Sequence, residues 1–416
     1  MIKSVRTRNR VLLNLIDNEH QIGQKKSLAF IISGGGKVHN LASETVSRAS
    51  RRTLEMLKKL KQATLATLKT AGAFTLVQNS KWRRQRLLIL AYHGISLSDE
   101  HIWNGSHFIS AEVFRSRLQL LRKTGCVVLP LDEALKRLYE NDLPDRAVAI
   151  TFDDGTADFY SQAFPLLKEF ELPVTLYLTT FYSRYQKPVF DLICSYLLWK
   201  GRHGTLDLKD IAGRDLSIEL RDPFSRETAS LELRSVAAEQ NLSAEEKEAL
   251  ASSLAAQLGV DYEALLEQRI LHLLKPEEVT RLAAEGVDVQ LHTHRHRTPK
   301  ERALFLREIE DNRMSIHEMT GNPTSHFCYP SGVYDPVFLP WLQESNIASA
   351  TTCDAGFASR ASNPLLLPRI LDHQGLSPIE FEGWLTGISS VLPRRRLQKA
   401  RLPRPGGPKE HSPSEK

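Results

Sequence analysis

The sequence predicts an α/β domain built on a parallel sheet, because strand-like apolar runs alternate with helix-like segments between residues 86 and 385. The runs LLILAYHGI (87–95) and AVAITFDDG (147–155) both have strand character and both end in a turn. Between them, residues 114–140 have the pattern of a helix, a glycine stop, a strand and a second helix. The helix-like residues 163–173 and the strand-like residues 174–180 continue the alternation.

Three regions of the chain differ in composition. Residues 1–85 are basic and rich in helix formers, residues 86–385 carry the α/β pattern, and residues 386–416 form a basic tail that we expect to be disordered. Within the second region, residues 195–275 predict a mostly helical insertion, which contains a capping box from Ser243 to Glu246. Met56 is an alternative start of the chain.

The bulk composition agrees with a globular protein, with 41% hydrophobic and 25% charged residues. The 55 basic and 49 acidic residues give a net charge of +6, and the excess is concentrated at the two ends. Solvated tails are the simpler interpretation, and an anionic partner is the alternative. The four cysteines are widely spaced, which excludes a disulfide scaffold and favours free thiols in a reducing compartment.

The N-terminal region bears on where the protein acts. No secretory signal is readable, because the apolar run at 11–16 is followed at once by polar residues. Residues 54–74 place leucines at helical intervals against lysines, which predicts a helix packed on the main domain or, alternatively, lying on a membrane surface. We therefore expect a cytoplasmic protein, with the inner face of the membrane as a candidate contact. Nucleic acid is not an expected partner, because the basic ends contain few aromatic residues.

Two adjacent carboxylates, Asp153 and Asp154, end one predicted strand. The carboxyl edge of a parallel sheet is where α/β folds bind ligands. Because neighbouring side chains diverge, one carboxylate can bind a cation while the other faces a substrate. A plain Asp-Gly turn is the alternative interpretation.

A histidine cluster follows another predicted strand, with His292, His294 and His296 within five residues. Histidines at this spacing can converge on one metal ion, and imidazole suits zinc, cobalt, nickel or iron. The role of His294 stays open, and an exposed side chain is the alternative. His93, at the end of a third strand and before a glycine, is a candidate for the rim of the same site.

The segment TFDDG (151–155) followed by HTHRH (292–296) resembles the first two motifs of the polysaccharide deacetylases, the NodB-like carbohydrate esterase family four. The resemblance covers about residues 86–385 and includes the YHGI, FCYPSGVYD and LPRI segments. It implies a distorted (β/α) barrel of the NodB homology type, interrupted by the helical insertion, with its site at the carboxyl ends of the strands.

The resemblance also implies a role for individual residues. Asp154, His292 and His296 would bind a divalent metal, with zinc expected and cobalt or nickel as alternatives. Asp153 would be the general base and His93 the general acid. Two imidazoles and one carboxylate leave metal positions open for water and substrate, as hydrolysis requires.

The chain departs from the family pattern in its third motif. Many members begin this motif with an arginine that orients the catalytic aspartate, whereas residues 326–328 contain none. Arg369 in the LPRI segment is a candidate for that role from another strand. His373 matches the family's C-terminal histidine motif loosely and is the second candidate for the acid.

The FCYPSGVYD segment is expected to contact substrate. The resemblance implies that this segment lines the pocket and that its backbone amides help to hold an oxyanion. The predicted substrate-binding residues are Tyr329, Pro330 and Gly332.

The predicted function is metal-dependent hydrolysis of acetyl groups from a polysaccharide or glycan precursor, with N-acetyl favoured over O-acetyl. A lipid-linked or exopolysaccharide precursor fits the basic N-terminal helix and the lack of a readable secretory signal. Two alternatives stay open: hydrolysis of another non-peptide C–N bond, and a metal-binding protein that recognises glycans without turnover.

Overall fold

The computed structural model describes residues 41–391. They fall into two compact units, residues 62–389 and a smaller unit of residues 41–61 and 390–391. The predicted tail is described only to residue 391, where a helix at 388–391 corrects the expectation of disordered chain for its first residues. The remainder of the tail and residues 1–40 lie outside the described part of the chain.

The larger unit contains twelve strands. They are β1 Leu88–Tyr92, β2 Gly94–Ile95, β3 Phe108–Ile109, β4 Val127–Val128, β5 Ala147–Phe152, β6 Thr175–Leu178, β7 Thr205–Asp207, β8 Ser217–Glu219, β9 Asp288–Leu291, β10 His326–Cys328, β11 Ser349–Ala355 and β12 Leu367–Leu371. Seven of them form a closed parallel barrel in the order β1-β12-β11-β10-β9-β6-β5, because β5 pairs back onto β1. Strand β4 extends the sheet beside β5. This topology confirms the predicted distorted barrel.

Helices connect and cover the strands. They are α1 Leu41–Thr70, α2 Ala73–Gln78, α3 Lys81–Arg84, α4 Glu100–Trp103, α5 Ala111–Lys123, α6 Leu131–Glu140, α7 Phe164–Glu169, α8 Phe190–Lys200, α9 Leu208–Ala212, α10 Pro223–Glu239, α11 Ala244–Gln257, α12 Tyr262–Glu267, α13 Pro276–Ala284, α14 Arg302–Thr320, α15 Phe338–Glu344, α16 Pro378–Thr386 and α17 Ile388–Val391. No helix within residues 41–391 is long and apolar enough to cross a membrane.

Strand alternation divides the core of the barrel into two layers. Leu90, Ile150 and Leu176 belong to the apolar cluster that packs under the helices, whereas Ile89 and Ala149 belong to a second cluster. Because side chains in a strand point to opposite faces in turn, the second cluster lies on the other face of the sheet. Strands β1, β5 and β6 are buried along their whole length, which is why they are visible in the sequence as apolar runs.

The insertion has an apolar core of its own. Helices α8, α10 and α11 contribute Leu197, Leu233 and Leu254 to it, and an antiparallel hairpin of β7 and β8 packs there as well. The predicted capping box at Ser243 is present at the start of α11. The chain leaving the insertion is anchored beside β5, because the Leu274 N–H donates to the Gly155 carbonyl at 2.8 Å. The exit of the insertion is therefore tied to the turn that carries the paired carboxylates.

Candidate active site and metal centre

The carboxyl ends of the barrel strands bring the predicted chemical residues together. Asp153 and Asp154 follow β5, His292 follows β9 and His93 follows β1. Arg369 lies within β12, which neighbours β1. Because all seven barrel strands are parallel, these residues lie at one end of the barrel, although more than 200 positions separate the first from the last.

One group of three side chains has the geometry of a metal site. Asp154 Oδ1 lies 3.2 Å from Nε2 of His292 and 3.2 Å from Nε2 of His296. The ligand atoms of these three residues all lie within 4.8 Å of one another. The Nδ1 atom of His292 lies 2.8 Å from the Cys328 carbonyl, which accepts its proton and leaves Nε2 as the metal-facing nitrogen. Two imidazoles and a carboxylate therefore fit a divalent cation with open positions.

The turn after β5 separates the two carboxylates. Asp154 has a φ of 69°, in the left-handed region, and Gly155 follows with a φ of 81°. A Cβ atom on Gly155 would lie 2.3 Å from Cδ1 of Leu178, so only glycine fits there. This backbone directs Asp154 towards the histidines and Asp153 elsewhere.

Asp153 is paired with Arg369 in the buried part of the site. Nη1 and Nη2 of Arg369 donate to Oδ1 and Oδ2 of Asp153, each at 2.7 Å, which is a bidentate ion pair. Both side chains are at most 3% exposed. Burial raises the pKa of Asp153, but attraction and hydrogen bonding to Arg369, together with attraction to His93 and His292, lower the pKa below its ordinary value. The carboxylate is therefore held ionised and in a fixed orientation.

A second group, Asp153 with His292 and Cys328, also brings its ligand atoms within 4.8 Å. The guanidinium of Arg369 already supplies the positive charge in this group, because it contacts both Asp153 oxygens and lies 3.1 Å from the Cys328 sulfur. Burial raises the pKa of the Cys328 thiol well above its ordinary value, so it stays protonated and is a poor metal ligand. The geometry favours the group around Asp154 as the metal site.

Two histidines lie at the rim near the base. Nε2 of His93 is 3.9 Å from Oδ2 of Asp153, and the His93 ring packs against His107 with centroids 4.9 Å apart. His373 lies two residues beyond the end of β12, the strand that pairs with β1 through Ala91 and Leu371. Both predicted candidates for the acid thus follow neighbouring strands at the same end of the barrel.

The residues after β10 that are predicted to bind substrate make contacts within the protein. Tyr329 is fully buried, its hydroxyl donates to the Leu365 carbonyl at 3.0 Å, and its N–H donates to the Thr351 carbonyl at 3.2 Å. Its side chain therefore packs in the core, and its amide is already used within the sheet.

The other two predicted substrate contacts have similar surroundings. Pro330 is buried as well. A Cβ atom on Gly332 would lie 2.6 Å from Cβ of Cys353, so this glycine permits close packing against β11. Gly332 also donates its N–H to the Tyr329 carbonyl at 2.9 Å. All three residues therefore have packing contacts, and their contact with a substrate stays a prediction.

Sequence reasoning missed two residues that contact the pair formed by Asp153 and Arg369. The Thr151 hydroxyl accepts from Nη1 of Arg369 at 3.1 Å, and the Cys328 sulfur lies 3.5 Å from Oδ2 of Asp153. Thr151 was detectable, because a residue two positions before Asp153 on a strand points to the same face. Cys328 was not, because its approach depends on the register between β9, β10 and β11.

Comparison with known proteins agrees with this geometry. Residues 140–204 and 241–349 match the family model described as polysaccharide deacetylase. A poly-beta-1,6-N-acetyl-D-glucosamine N-deacetylase of Staphylococcus epidermidis is 30% identical over 110 residues, which are 24% of this chain and 38% of that protein. The protein of the same name from Staphylococcus aureus is 29% identical over 112 residues, with the same two shares. The chain thus spans about two fifths of the length of these relatives.

A solved structure was also found, the Streptococcus pyogenes deacetylase PplD in complex with acetate. It is 20% identical, covers 71% of this chain and 96% of its own, and has a TM-score of 0.46. The family model matches the segments that carry both the paired carboxylates and the histidine cluster. The chain therefore carries a domain of the polysaccharide deacetylase family.

Proposed function

We propose that this protein is a metal-dependent deacetylase that removes N-acetyl groups from a polysaccharide or glycan precursor. One observation carries the proposal: an ionised, arginine-held carboxylate, Asp153, adjoins a three-residue metal group around Asp154. Hydrolysis of an amide needs a base to take the proton of the attacking water and a stabiliser for the oxyanion that forms. The two halves of this site supply both.

The metal group is proposed to hold zinc, with cobalt or nickel as alternatives, through Asp154, His292 and His296. These nitrogen and oxygen donors suit that part of the transition series. Such a cation, when bound, polarises the acetyl carbonyl and lowers the pKa of a water molecule from its bulk value of about 15.7.

Asp153 is proposed to accept the proton as water attacks the acetyl carbon. Arg369 fixes both of its oxygens and keeps it ionised, so the base is ready without a prior loss of a proton. A base that is already in position avoids the cost of reorganisation during the reaction.

His93 is proposed to donate a proton to the sugar nitrogen as the C–N bond breaks, so that acetate and a free amine leave. Its Nε2 atom lies 3.9 Å from Asp153, on the same side of the barrel end. His373, which follows the neighbouring strand β12, stays the alternative acid. Exchanging each histidine for glutamine and comparing kcat distinguishes the two.

An N-acetylated glucosamine polymer is the proposed substrate class, because the staphylococcal relatives are named for that activity. The length of chain shared with them is short, so the substrate must be identified directly. The cytoplasmic location and the membrane contact of the N-terminal helix stay predictions.

The test is acetate release from β-1,6-linked N-acetylglucosamine oligomers, with chitooligosaccharides and O-acetylated glycans as comparisons. Chelator-sensitive release that zinc or cobalt restores is the expected result. Bound metal without release from any acetylated glycan would favour hydrolysis of another C–N bond or glycan recognition without turnover. A purified protein that binds no divalent metal would exclude the proposed site.

A further inference from the structure

The loop that carries the metal-binding histidines has a strained backbone. Thr293 has a φ of 63° and His296 a φ of 53°, both in the left-handed region. That region is unfavourable for residues other than glycine, and most of all for a β-branched residue such as threonine. Such conformations persist only where the surrounding contacts over-determine them. The loop must therefore be held by neighbouring groups.

Two buried polar side chains of α14 face this loop. Glu308 and Asn312 are four residues apart on the helix, so they share one face, and both are at most 1% exposed. Oδ1 of Asn312 accepts the N–H of His292 at 2.9 Å. Its Nδ2 donates to the Leu178 carbonyl at 3.0 Å and to the Thr180 hydroxyl at 2.9 Å. Asn312 thereby ties the end of β9 to the end of β6.

Glu308 binds the next part of the loop. Its Oε2 accepts the N–H of Arg295 at 2.8 Å, and its Oε1 accepts from Nε of Arg297 at 2.7 Å and from Nη1 of Arg295 at 3.3 Å. Its backbone carbonyl accepts the N–H of His294 at 3.0 Å. A buried carboxylate requires such partners, and the loop provides both of its arginines as counter-ions.

The two ligands in the loop are held to different degrees. His292 is buried, and its ring is oriented by the Cys328 carbonyl as well as by Asp154. His296 is 36% exposed and lies between Arg295 and Arg297, which both bind Glu308. The orientation of His296 therefore depends more on Glu308 than that of His292 does.

We propose that Glu308 and Asn312 are positioning residues, which hold the strained loop so that His296 and His292 direct Nε2 towards Asp154. This inference rests on the metal site of the proposed function. Both residues are more than ten positions away from the metal-binding histidines in the sequence, and neither is expected to touch the cation. They fix the loop before a metal binds, so that the loop loses little conformational entropy on binding.

Glu308→Gln is the first test. Glutamine keeps the size of the side chain and one acceptor oxygen but loses the charge that faces Arg295 and Arg297. Zinc affinity is measured by competition with a chromophoric chelator, and the visible absorption spectrum is recorded with cobalt in place of zinc. We expect zinc to bind about 10–100-fold more weakly, as is usual when a group that orients a metal ligand is lost, and the cobalt bands to change.

Glu310→Gln is the matched control. Glu310 lies on the exposed side of the same helix and pairs with Arg313, so the same chemical change there should leave zinc affinity and the cobalt spectrum as in the wild type. Circular dichroism and a thermal melt of the metal-free proteins show whether each variant folds. If Glu308→Gln fails to fold, Arg297→Gln replaces it, because this exposed side chain supplies one of the two counter-ions.

The outcomes separate this inference from the proposed function. A folded Glu308→Gln protein with wild-type zinc affinity and an unchanged cobalt spectrum would overturn the positioning role. An unfolded Glu308→Gln protein together with unchanged zinc binding by Arg297→Gln would also overturn it. If the wild-type protein binds no zinc, the proposed function fails first. Weaker zinc binding by the Glu308 variant with unchanged binding by Glu310→Gln is the result that supports the inference.

Discussion

Asp153 and Asp154 are neighbours in the chain but face different basic partners. Asp153, with Arg369 and Cys328, forms what we call the base side, where the carboxylate is buried and bound by two guanidinium nitrogens. Asp154, with His292 and His296, forms the metal side, where the carboxylate is 27% exposed and faces two imidazoles. The left-handed backbone at Asp154 produces this division.

The difference shows how one dipeptide can supply two chemical functions. The base side contains its own permanent cation, because an arginine is charged at any accessible pH, and an added metal would have to displace it. The metal side has only imidazoles, which can bind a metal through neutral nitrogens. A divalent cation is therefore expected on one side alone, and the following experiments test that division.

The largest expected effect is on turnover, from Asp153→Asn. The amide keeps the shape of the side chain but cannot accept the proton, so kcat should fall by about 10²–10⁴-fold, the usual contribution of a general base. Metal content, measured by elemental analysis, should stay at the wild-type level, because the metal side is unchanged. Loss of the metal from this variant would show that the two sides are not separate.

The next effect is on stability, from Arg369→Met. The substitution leaves Asp153 buried without its partner, and breaking a buried ion pair from one side costs roughly 3–5 kcal/mol. Urea denaturation measures the free energy of unfolding. The double variant with Asp153→Asn should recover part of the loss, because the unpaired charge is gone. Equal losses in the single and double variants would mean that the ion pair is not what stabilises this region.

The sequence supports the metal side better than the base side. Asp154, His292 and His296 belong to two short motifs, each at the end of an apolar strand, and their spacing is visible without a fold. The pairing of Asp153 with Arg369 joins β5 to β12 across 216 positions, and only closure of the barrel brings the two strands near each other. The resemblance to a family made Arg369 a candidate, but the residues alone did not.

The fold, like the site, was predictable from the sequence only in part. Strands β1, β5 and β6 are continuous apolar runs, whereas β11 has the sequence SATTCDA and lacks such a pattern. Tyr329 was placed in the pocket because its segment resembles a substrate-binding motif. Its hydroxyl bonds to the carbonyl of Leu365, which lies 36 positions further along the chain. Local sequence carries no information about such contacts.

Asp158 extends the comparison to a buried carboxylate without a cation among the described residues. Its Oδ1 accepts the N–H of Ile95 at 2.7 Å, and burial raises its pKa to about 7. The folded state therefore keeps a proton that the unfolded state releases above its ordinary pKa of about 3.9. Stability should decrease as the pH rises from about 4 to 7, with a slope of at most ~1.4 kcal/mol per pH unit from this group.

Asp158→Asn should remove that part of the slope while keeping the acceptor for Ile95. The variant and the wild type are compared by urea denaturation at about pH 4.5, 5.5 and 6.5. These values lie between the pKa of the unfolded state and that of the folded state. The free energy of unfolding of the variant should increase relative to that of the wild type as the pH rises. Parallel curves would mean that Asp158 is ionised in the folded protein, as Asp153 is.

The smallest expected effect comes from Tyr329→Phe, next to Cys328 of the base side. The change removes only the hydroxyl that donates to the Leu365 carbonyl, so the free energy of unfolding should fall by about 0.5–1.5 kcal/mol. Because that hydroxyl is buried and bound within the protein, KM for an acetylated oligomer should stay unchanged. A raised KM at unchanged stability would instead mean that Tyr329 contacts the substrate. A loss of stability with an unchanged KM would mean that the Tyr329 hydroxyl acts through its bond to the Leu365 carbonyl and not through the substrate.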